Sequence, residues 1–235
     1  MRHSGNSEQQ PPIRLVIVDD HELAREGLKD LLSDAPDIEV LGEASNGREA
    51  IQLCSRLKPD LVMMDVRMPE MDGLAATREL KRREPRISVL MLTMHDNPEY
   101  LLEALKAGAA GYVLKDAAEE EVIGAVRQVR EGESPLDPKL AARLLRQLAQ
   151  ERGVSEIGRS SSAASLVQPL TPRELEVLEY IRLGLTNRQI ASELVISVGT
   201  VKNHVEHIIA KMGASDRTQA VVMALEMGIL DLSER

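Results

Sequence analysis

The stretch MMDVRMPEMDG, residues 63 to 73, decides the fold, because it brings the end of a strand and a charge to one point. The apolar run before it predicts a buried strand, and this strand ends in the carboxylate of Asp65. Pro69 and Gly73 predict a turn directly afterwards. A charge at the end of a buried strand indicates a site at that edge of a sheet.

Four further apolar runs resemble this one, and a stretch with helical periodicity follows each run. Nearly continuous Val, Ile and Leu runs are typical of strands that helices cover on both faces, as in a parallel sheet. Five strands alternating with five helices therefore predict an α/β fold, a doubly wound five-stranded parallel sheet. The predicted strands are residues 13–18, 38–43, 61–65, 87–92 and 111–114.

Polar side chains stand at the carboxyl ends of these strands. Ligands of doubly wound sheets bind outside that edge, where side chains from several strands converge. A single polar residue there has the plain explanation that strands exit to solvent. Three carboxylates, a hydroxyl and an ammonium from four strands favour a functional site instead. The set is Asp19, Asp20, Asp65, Thr93 and Lys115.

Three carboxylates placed close together repel one another unless a cation lies among them. Oxygen ligands without a nearby cluster of His and Cys favour Mg²⁺, with Mn²⁺ as the alternative, over zinc. Such an ion can hold phosphate oxygens while Lys115 and Thr93 contact the same group. The expected chemistry is phosphorylation of one aspartate, and spacing alone leaves the nucleophile open among the three.

Residues 170–235 contain the start signals of several helices. Thr171 and Thr186 each begin a capping box, and Ser197 and Ser215 are further N-cap candidates. The second and third expected helices are close enough for a helix-turn-helix, while a small helical bundle used for protein contacts is the alternative. The expected helices are residues 172–183, 187–194, 198–212 and 216–227.

The third of these helices favours DNA binding, since its apolar side chains face the bundle while Lys and Asn point away. Such a row suits base edges and phosphates in the major groove. Residues 182–217 carry five Lys and Arg against three acids, although the whole chain has a formal net charge of −9. The chain has no Trp or Phe and three Tyr, so we do not expect stacking on bases.

Residues 134–169 are predicted to form a linker between the two regions. Asp137 and Pro138 begin an expected helix over about 138–150, and a flexible Ser-rich tether follows.

The composition also limits the cellular setting. No stretch approaches the roughly 20 apolar residues of a membrane span, and the N-terminal segment lacks the apolar part of a secretory signal. We therefore expect a cytoplasmic chain with no membrane partner. The single cysteine, Cys54, is expected to be a buried small hydrophobic residue rather than a nucleophile.

Residues 13–133 resemble the flavodoxin-like receiver domain of two-component response regulators, through VDDHE, MMDVRMPEMDG, MLTMHD and YVLKD. The resemblance implies that Asp65 accepts a phosphoryl group from a sensor histidine kinase. It also implies a Mg²⁺ site formed by Asp20, Asp65 and the backbone carbonyl of Arg67, with Asp19 acting through water.

The same resemblance implies roles for the remaining polar residues at this edge. Thr93 and Lys115 would bind the phosphoryl group, and Thr93 and Tyr112 would form a conformational switch. A simply half-buried tyrosine is the alternative for Tyr112. Asp116 replaces the proline that follows the lysine in many receivers, and it is either a mark of one subfamily or the N-cap of the next helix, two interpretations that are compatible.

Residues 170–230 resemble the LuxR-type helix-turn-helix, so the whole chain resembles response regulators of the NarL/FixJ type. Lys202 and Asn203 are then the best candidates for base contacts. Glu206 stands where some relatives have a basic residue, which leaves site preference open. Candidates for backbone or groove contact are Arg188, Thr200, His204, Lys211 and Arg217.

The expected function is a DNA-binding transcription regulator rather than an enzyme. Its expected partners are a sensor histidine kinase, promoter DNA, RNA polymerase and, after phosphorylation, a second copy of the chain. One rival is a phosphatase of the haloacid dehalogenase type, which would need an acid where Arg67 stands. The other is a receiver that never accepts phosphate and serves only as a dimer platform, which the complete set of polar residues argues against.

Overall fold

The structure, a computed structural model of the chain, describes residues 11–94, 98–136 and 169–230. The predicted linker helix over 138–150 and the Ser-rich tether lie outside these residues.

The N-terminal region contains one five-stranded sheet in the order β2-β1-β3-β4-β5, and every pair of neighbouring strands is parallel. The predicted doubly wound α/β fold is confirmed, and each strand agrees with its predicted bounds to within one residue. The strands are β1 (Ile13–Val18), β2 (Ile38–Ala44), β3 (Leu61–Asp65), β4 (Ser88–Thr93) and β5 (Gly111–Leu114).

Five helices connect and follow these strands. They are α1 (Glu22–Ser33), α2 (Gly47–Leu57), α3 (Gly73–Arg83), α4 (Pro98–Ala107) and α5 (Glu119–Arg130). Asn46 and Asp72 cap α2 and α3, because their side chains accept the backbone N–H of Glu49 and Ala75. The prediction that Asp116 caps the last helix is wrong. That helix begins later, after Ala118, which has no side-chain cap.

The two faces of the sheet bury alternate residues of the same strands. Val16 and Met64 belong to one core cluster, while Ile17 and Met63 belong to the cluster on the opposite face. This alternation follows from the two-residue period of a strand, and burial on both faces explains why the runs are apolar throughout.

Within residues 169–230, the C-terminal region contains four helices, and each agrees with its predicted bounds to within one residue. They are α6 (Pro172–Arg182), α7 (Asn187–Glu193), α8 (Val198–Met212) and α9 (Arg217–Glu226). Both capping boxes form, at Thr171 and Thr186, and Ser197 caps α8. The cap of α9 is Asp216 rather than the predicted Ser215. Its carboxylate accepts two backbone N–H groups, from Thr218 and Gln219.

The two regions touch through α4 and α9. Val222 of α9 is buried within one of the core clusters of the α/β domain. The Gln219 side chain donates to the carbonyl of Lys106 at 3.1 Å, and the Lys106 ammonium lies 3.2 Å from the Glu226 carboxylate. Among the described residues, no helix is both long and apolar enough to cross a membrane.

Gly73 allows the loop after β3 to fold back against that strand. A Cβ at this position would lie 1.9 Å from the backbone oxygen of Asp65 and 3.0 Å from Cγ of Met64. We predict that Gly73→Ala lowers the free energy of unfolding by at least about 3 kcal/mol, because the clash involves backbone that cannot move aside. Urea denaturation followed by circular dichroism measures this loss.

Gly27 provides the matched control within α1. A Cβ there meets nothing within 4 Å, so Gly27→Ala should raise the free energy of unfolding by about 0.5 to 1 kcal/mol through helix propensity. Equal losses in the two variants would contradict the steric explanation for Gly73.

Cys54 lies fully buried on α2, as the sequence predicts. Burial raises the pKa of its thiol from its ordinary value to about 12. We predict no labelling by a disulfide reagent at pH 8 in the native protein and full labelling in concentrated urea. Because only the unfolded chain ionises just above pH 9, this thiol should also reduce stability as the pH rises from about 9 towards 12. Rapid native labelling would show that the thiol is accessible.

Candidate functional site

Lys115 joins two carboxylates at the carboxyl edge of the sheet. Its ammonium nitrogen lies 2.5 Å from Oδ2 of Asp19 and 2.9 Å from Oδ2 of Asp65. Asp19 follows β1, Asp65 ends the neighbouring β3, and Lys115 follows β5, on the far side of β4. The structure thus brings together three predicted site residues that are up to 96 positions apart in the chain.

Asp20 and His21 lie next to Asp19 and Asp65 and add further possible metal ligands to this group. His21 places Nδ1 2.9 Å from the Asp20 carboxylate, and its backbone N–H donates to Asp19 at 3.0 Å. One ligand atom from each of Asp19, Asp20, His21 and Asp65 can be chosen so that all four lie within 4.8 Å of one another. The side chain of His21 is 74% exposed.

The electrostatics of the site show how crowded the negative charges are. Burial raises the pKa of Asp65, and the nearby Asp19 raises it further, while the hydrogen bond from Lys115 opposes both effects. Burial acts to lower the pKa of Lys115, but hydrogen bonds to Asp19 and Asp65 outweigh it and raise that pKa. Lys115 therefore stays charged and partly neutralises the two carboxylates.

Thr93 and Tyr112 lie on the strands beside this group. Thr93, the last residue of β4, is almost fully buried, and its carbonyl accepts the backbone N–H of Lys115 at 2.8 Å. Tyr112 is 3% exposed and packs in a core cluster, so it is more deeply buried than the half-buried tyrosine of the alternative. Arg67 lies exposed in the loop two residues after Asp65.

The recognition surface predicted on α8 is divided by face as expected. Val201, Val205, Ile208 and Met212 are buried in the core of the C-terminal domain. The predicted DNA contacts on the other face are Thr200 and Asn203, which are exposed, and Lys202 and His204, which are partly exposed. Arg188 on α7 is also exposed.

Two of the predicted DNA contacts, Lys211 and Arg217, are bonded to other residues of the C-terminal domain. The Lys211 ammonium lies 2.7 Å from the buried carboxylate of Glu174. Arg217 is 5% exposed and donates to the Asn187 side chain at 3.0 Å and to the Leu185 carbonyl at 2.8 Å. We correct the prediction for Arg217, because it begins α9 facing into the bundle and connects helices there. Lys211 is held by its ion pair in the same way.

Asn187 is a residue that the sequence did not single out. It is 2% exposed, and it contacts Arg217 as well as Glu131 and Glu133 of the N-terminal domain. Lys202 likewise lies 2.7 Å from the Glu131 carboxylate. No local sequence pattern indicates these pairings, since they connect residues 54 to 71 positions apart.

The N-terminal domain carries a cluster of acidic residues at the carboxyl edge of a parallel sheet, and a domain with a helix-turn-helix follows it. This combination defines the class of receiver-containing regulators. The receiver-domain model of response regulators matches residues 15–127, and the model of bacterial regulatory proteins of the luxR family matches residues 168–224. The chain belongs to the response regulators of the NarL/FixJ family, with a receiver and a LuxR-type DNA-binding domain.

Curated relatives span nearly the whole chain. The transcriptional regulatory protein DegU of Brevibacillus brevis is 40% identical over 222 residues, covering 92% of this chain and 94% of its own length. The response regulator VraR of Staphylococcus aureus is 39% identical over 218 residues, covering 93% and 99%. Both relatives are named as regulatory proteins, and the chain, with its receiver and LuxR-type DNA-binding domain, is a regulator rather than an enzyme.

A solved structure supports the same architecture. The crystal structure of the response regulator ChrA, from a heme-sensing two-component system, is 35% identical, with a TM-score of 0.50. The match covers 94% of this chain and 100% of that chain.

Arg217 and Arg188 should separate structural and DNA-binding roles. We predict that Arg217→Ala lowers the free energy of unfolding by about 3 kcal/mol, because it leaves the buried Asn187 side chain and the partly buried Leu185 carbonyl without their charged donor. Arg188→Ala should change this free energy by less than about 0.5 kcal/mol. It should weaken binding to a DNA duplex and reduce the salt dependence by about one counterion. Urea denaturation and fluorescence anisotropy at several salt concentrations measure these effects. An Arg217→Ala protein of unchanged stability would contradict the structural role.

Proposed function

We propose that Asp65 accepts a phosphoryl group from the phosphohistidine of a sensor histidine kinase, and that this modification controls DNA binding by the C-terminal domain. The observation that carries the proposal is the ammonium of Lys115 between Asp19 and Asp65. A fixed cation at this point is what a transferring phosphoryl group, with its negatively charged oxygens, requires.

Exposure favours Asp65 over Asp19 as the phosphoacceptor. The Asp19 side chain is completely buried, so a phosphorus atom from a partner cannot reach it, whereas Asp65 keeps 10% of its side chain exposed. Oδ1 of Asp65 accepts the backbone N–H of Val66 at 2.7 Å, which fixes the orientation of the carboxylate. Asp65 also has the position that the family resemblance assigns to the phosphoacceptor.

The residues present fit a divalent cation with a preference for oxygen. The carboxylates of Asp19, Asp20 and Asp65 are close enough to share one ion, and burial together with mutual repulsion raises the pKa of Asp65. We propose that these residues and the backbone carbonyl of Arg67 hold Mg²⁺, with Mn²⁺ as an alternative. When bound, the ion would bind phosphoryl oxygens and offset the repulsion between the two anions.

In the transfer itself, the bond between phosphorus and the histidine nitrogen of the kinase breaks while a bond to Asp65 forms. The Lys115 ammonium then turns from the Asp65 carboxylate to the phosphoryl oxygens, and the Thr93 hydroxyl donates to another of them. Thr93 and Tyr112 lie on the neighbouring strands β4 and β5. We propose that these two residues transmit the movement of Thr93, at the end of β4, to the helices.

The proposed output is a shift between receiver conformations. Moving this equilibrium from 1:99 to 99:1 requires phosphorylation to favour the active state by about 5.5 kcal/mol. The active state would release the recognition helix α8 and favour a homodimer. A dimer would place two such helices on half-sites roughly 34 Å apart at a promoter, where RNA polymerase is a further expected partner.

Phosphorylation can be tested with acetyl phosphate and Mg²⁺. We predict one phosphoryl adduct by intact mass in the native protein and none in Asp65→Asn. Asp60→Asn is the matched control, because Asp60 lies at the opposite end of β3, where it accepts the backbone N–H of Arg14. This control should retain the adduct.

Three outcomes separate the possible functions. No adduct in any protein would support a receiver that serves only as a dimer platform. An adduct that persists in Asp65→Asn would assign the phosphoacceptor to another residue. The metal site would be supported if no adduct forms when a chelator removes Mg²⁺ and if the adduct forms again after Mg²⁺ or Mn²⁺ is added.

A further inference from the structure

Two rows of residues on α8 have the same spacing and point in opposite directions. The inward row lies in the core of the C-terminal domain and consists of Val201, Val205, Ile208 and Met212. A helix turns about 100° per residue, so a row displaced by two positions lies about 200° away, on the opposite face. This outward row consists of the exposed residues Gly199, Asn203, Glu206 and Ala210.

The outward row has small residues at both ends and polar side chains in the middle. At Gly199 a Cβ would have open space around it, since the nearest atom that it would meet is the Ser197 hydroxyl oxygen, at 3.7 Å. Ala210 at the other end carries only a methyl group. The major groove of DNA, about 12 Å wide, admits an α-helix. Small residues allow the helix axis to come close to the base pairs, so the side chains in the middle of the row can reach the base edges.

Asn203 and Glu206, the polar members of the outward row, have side chains that are available to a ligand. Within residues 11–94, 98–136 and 169–230, no hydrogen bond or ion pair occupies either side chain. Lys211 and Arg217 differ in this respect, because both are bonded to other residues of the same domain. Asn203 and Glu206 can therefore contact a duplex without first breaking a bond inside the protein.

The carboxylate of Glu206 can accept hydrogen bonds but cannot donate them, and DNA phosphates repel it. In the major groove only two bases present an amino donor, cytosine through N4 and adenine through N6. Guanine and thymine present acceptors, which a carboxylate cannot satisfy. In adenine the acceptor N7 lies beside the amino group and repels a carboxylate, whereas cytosine presents only the amino group. Cytosine is therefore the base that matches Glu206.

The side-chain amide of Asn203 has both a donor and an acceptor, and this pair matches N7 and N6 of adenine. Asn203 and Glu206 are three positions apart, which corresponds to about 4.5 Å along the helix axis. Successive base pairs are about 3.4 Å apart. The two side chains are therefore spaced to contact neighbouring base pairs.

We propose that Glu206 is a specificity-determining residue, which accepts a hydrogen bond from N4 of a cytosine while Asn203 binds an adenine of the neighbouring base pair. This proposal rests on the proposed function for its DNA partner, but it requires no phosphorylation of Asp65. Glu206 selects partly by exclusion, because a guanine or thymine at this point would place an unpaired acceptor against its carboxylate.

The test is a selection of duplexes from a random library by the full chain, with and without acetyl phosphate and Mg²⁺. We expect the selected duplexes to carry a C·G pair next to an A·T pair. Exchange of this cytosine for guanine should weaken binding about tenfold, measured by fluorescence anisotropy. Glu206→Gln should change the preferred base from cytosine to adenine, because an amide donates to N7 and accepts from N6.

Glu176→Gln is the matched control. It makes the same change in net charge on α6, outside the helix-turn-helix, where the exposed Glu176 pairs with Arg173. The control should keep the preference for cytosine. Asn203→Ala should lose the preference for adenine and keep that for cytosine, which separates the two contacts.

An unchanged base preference in Glu206→Gln would overturn the proposal. An equal gain in affinity for every duplex would also overturn it, because Glu206 would then act only by repelling phosphates. A native chain that takes up no phosphoryl group but still selects cytosine would support this proposal and contradict phosphorylation of Asp65. Failure of every protein to select any duplex would overturn both this proposal and the DNA-binding function.

Discussion

The ion pairs of Lys115 with Asp19 and Asp65 are the constraint on which the site depends. Two carboxylates at the ends of neighbouring strands, one of them fully buried, repel each other and lose hydration, and only a nearby cation compensates for both effects. The sheet order provides this cation, because β1 and β3 are adjacent and β5 lies one strand beyond β4. Any strand order that separated β1 from β3 would leave a buried charge without a partner.

Features that depend on neighbours in sequence could be predicted well. The strands and helices follow from apolar runs and helical spacing, and the capping boxes at Thr171 and Thr186 formed as predicted, since each needs only four consecutive residues. Asp216 displaced Ser215 as the cap of α9 because its carboxylate accepts two N–H groups. Asp116 failed as a cap because the next helix begins two residues later than expected, at Glu119.

Features that depend on distant residues could not be predicted in this way. The convergence of polar residues at the sheet edge was accessible because the rule for parallel sheets places all carboxyl ends together. No comparable rule places Arg217 against Asn187, because a basic residue at the start of a helix is usually solvated. The contacts of Asn187 and Lys202 with Glu131 and Glu133 of the N-terminal domain also needed the structure, since the sequence does not determine how two domains pack.

The contact between the two domains includes buried charged residues, and these limit how strongly this packing of the domains is favoured. Asp216 at the start of α9 faces Lys81 of α3; burial raises the pKa of Asp216 and lowers that of Lys81. Ser215 packs against Gly108, where a Cβ would lie 2.3 Å from its hydroxyl oxygen. The cost of burying these charges offsets part of the gain from burying Val222. For the proposed control by phosphorylation, opposing contributions of this kind keep small the energy needed to separate the domains, and a shift from 1:99 to 99:1 would require about 5.5 kcal/mol.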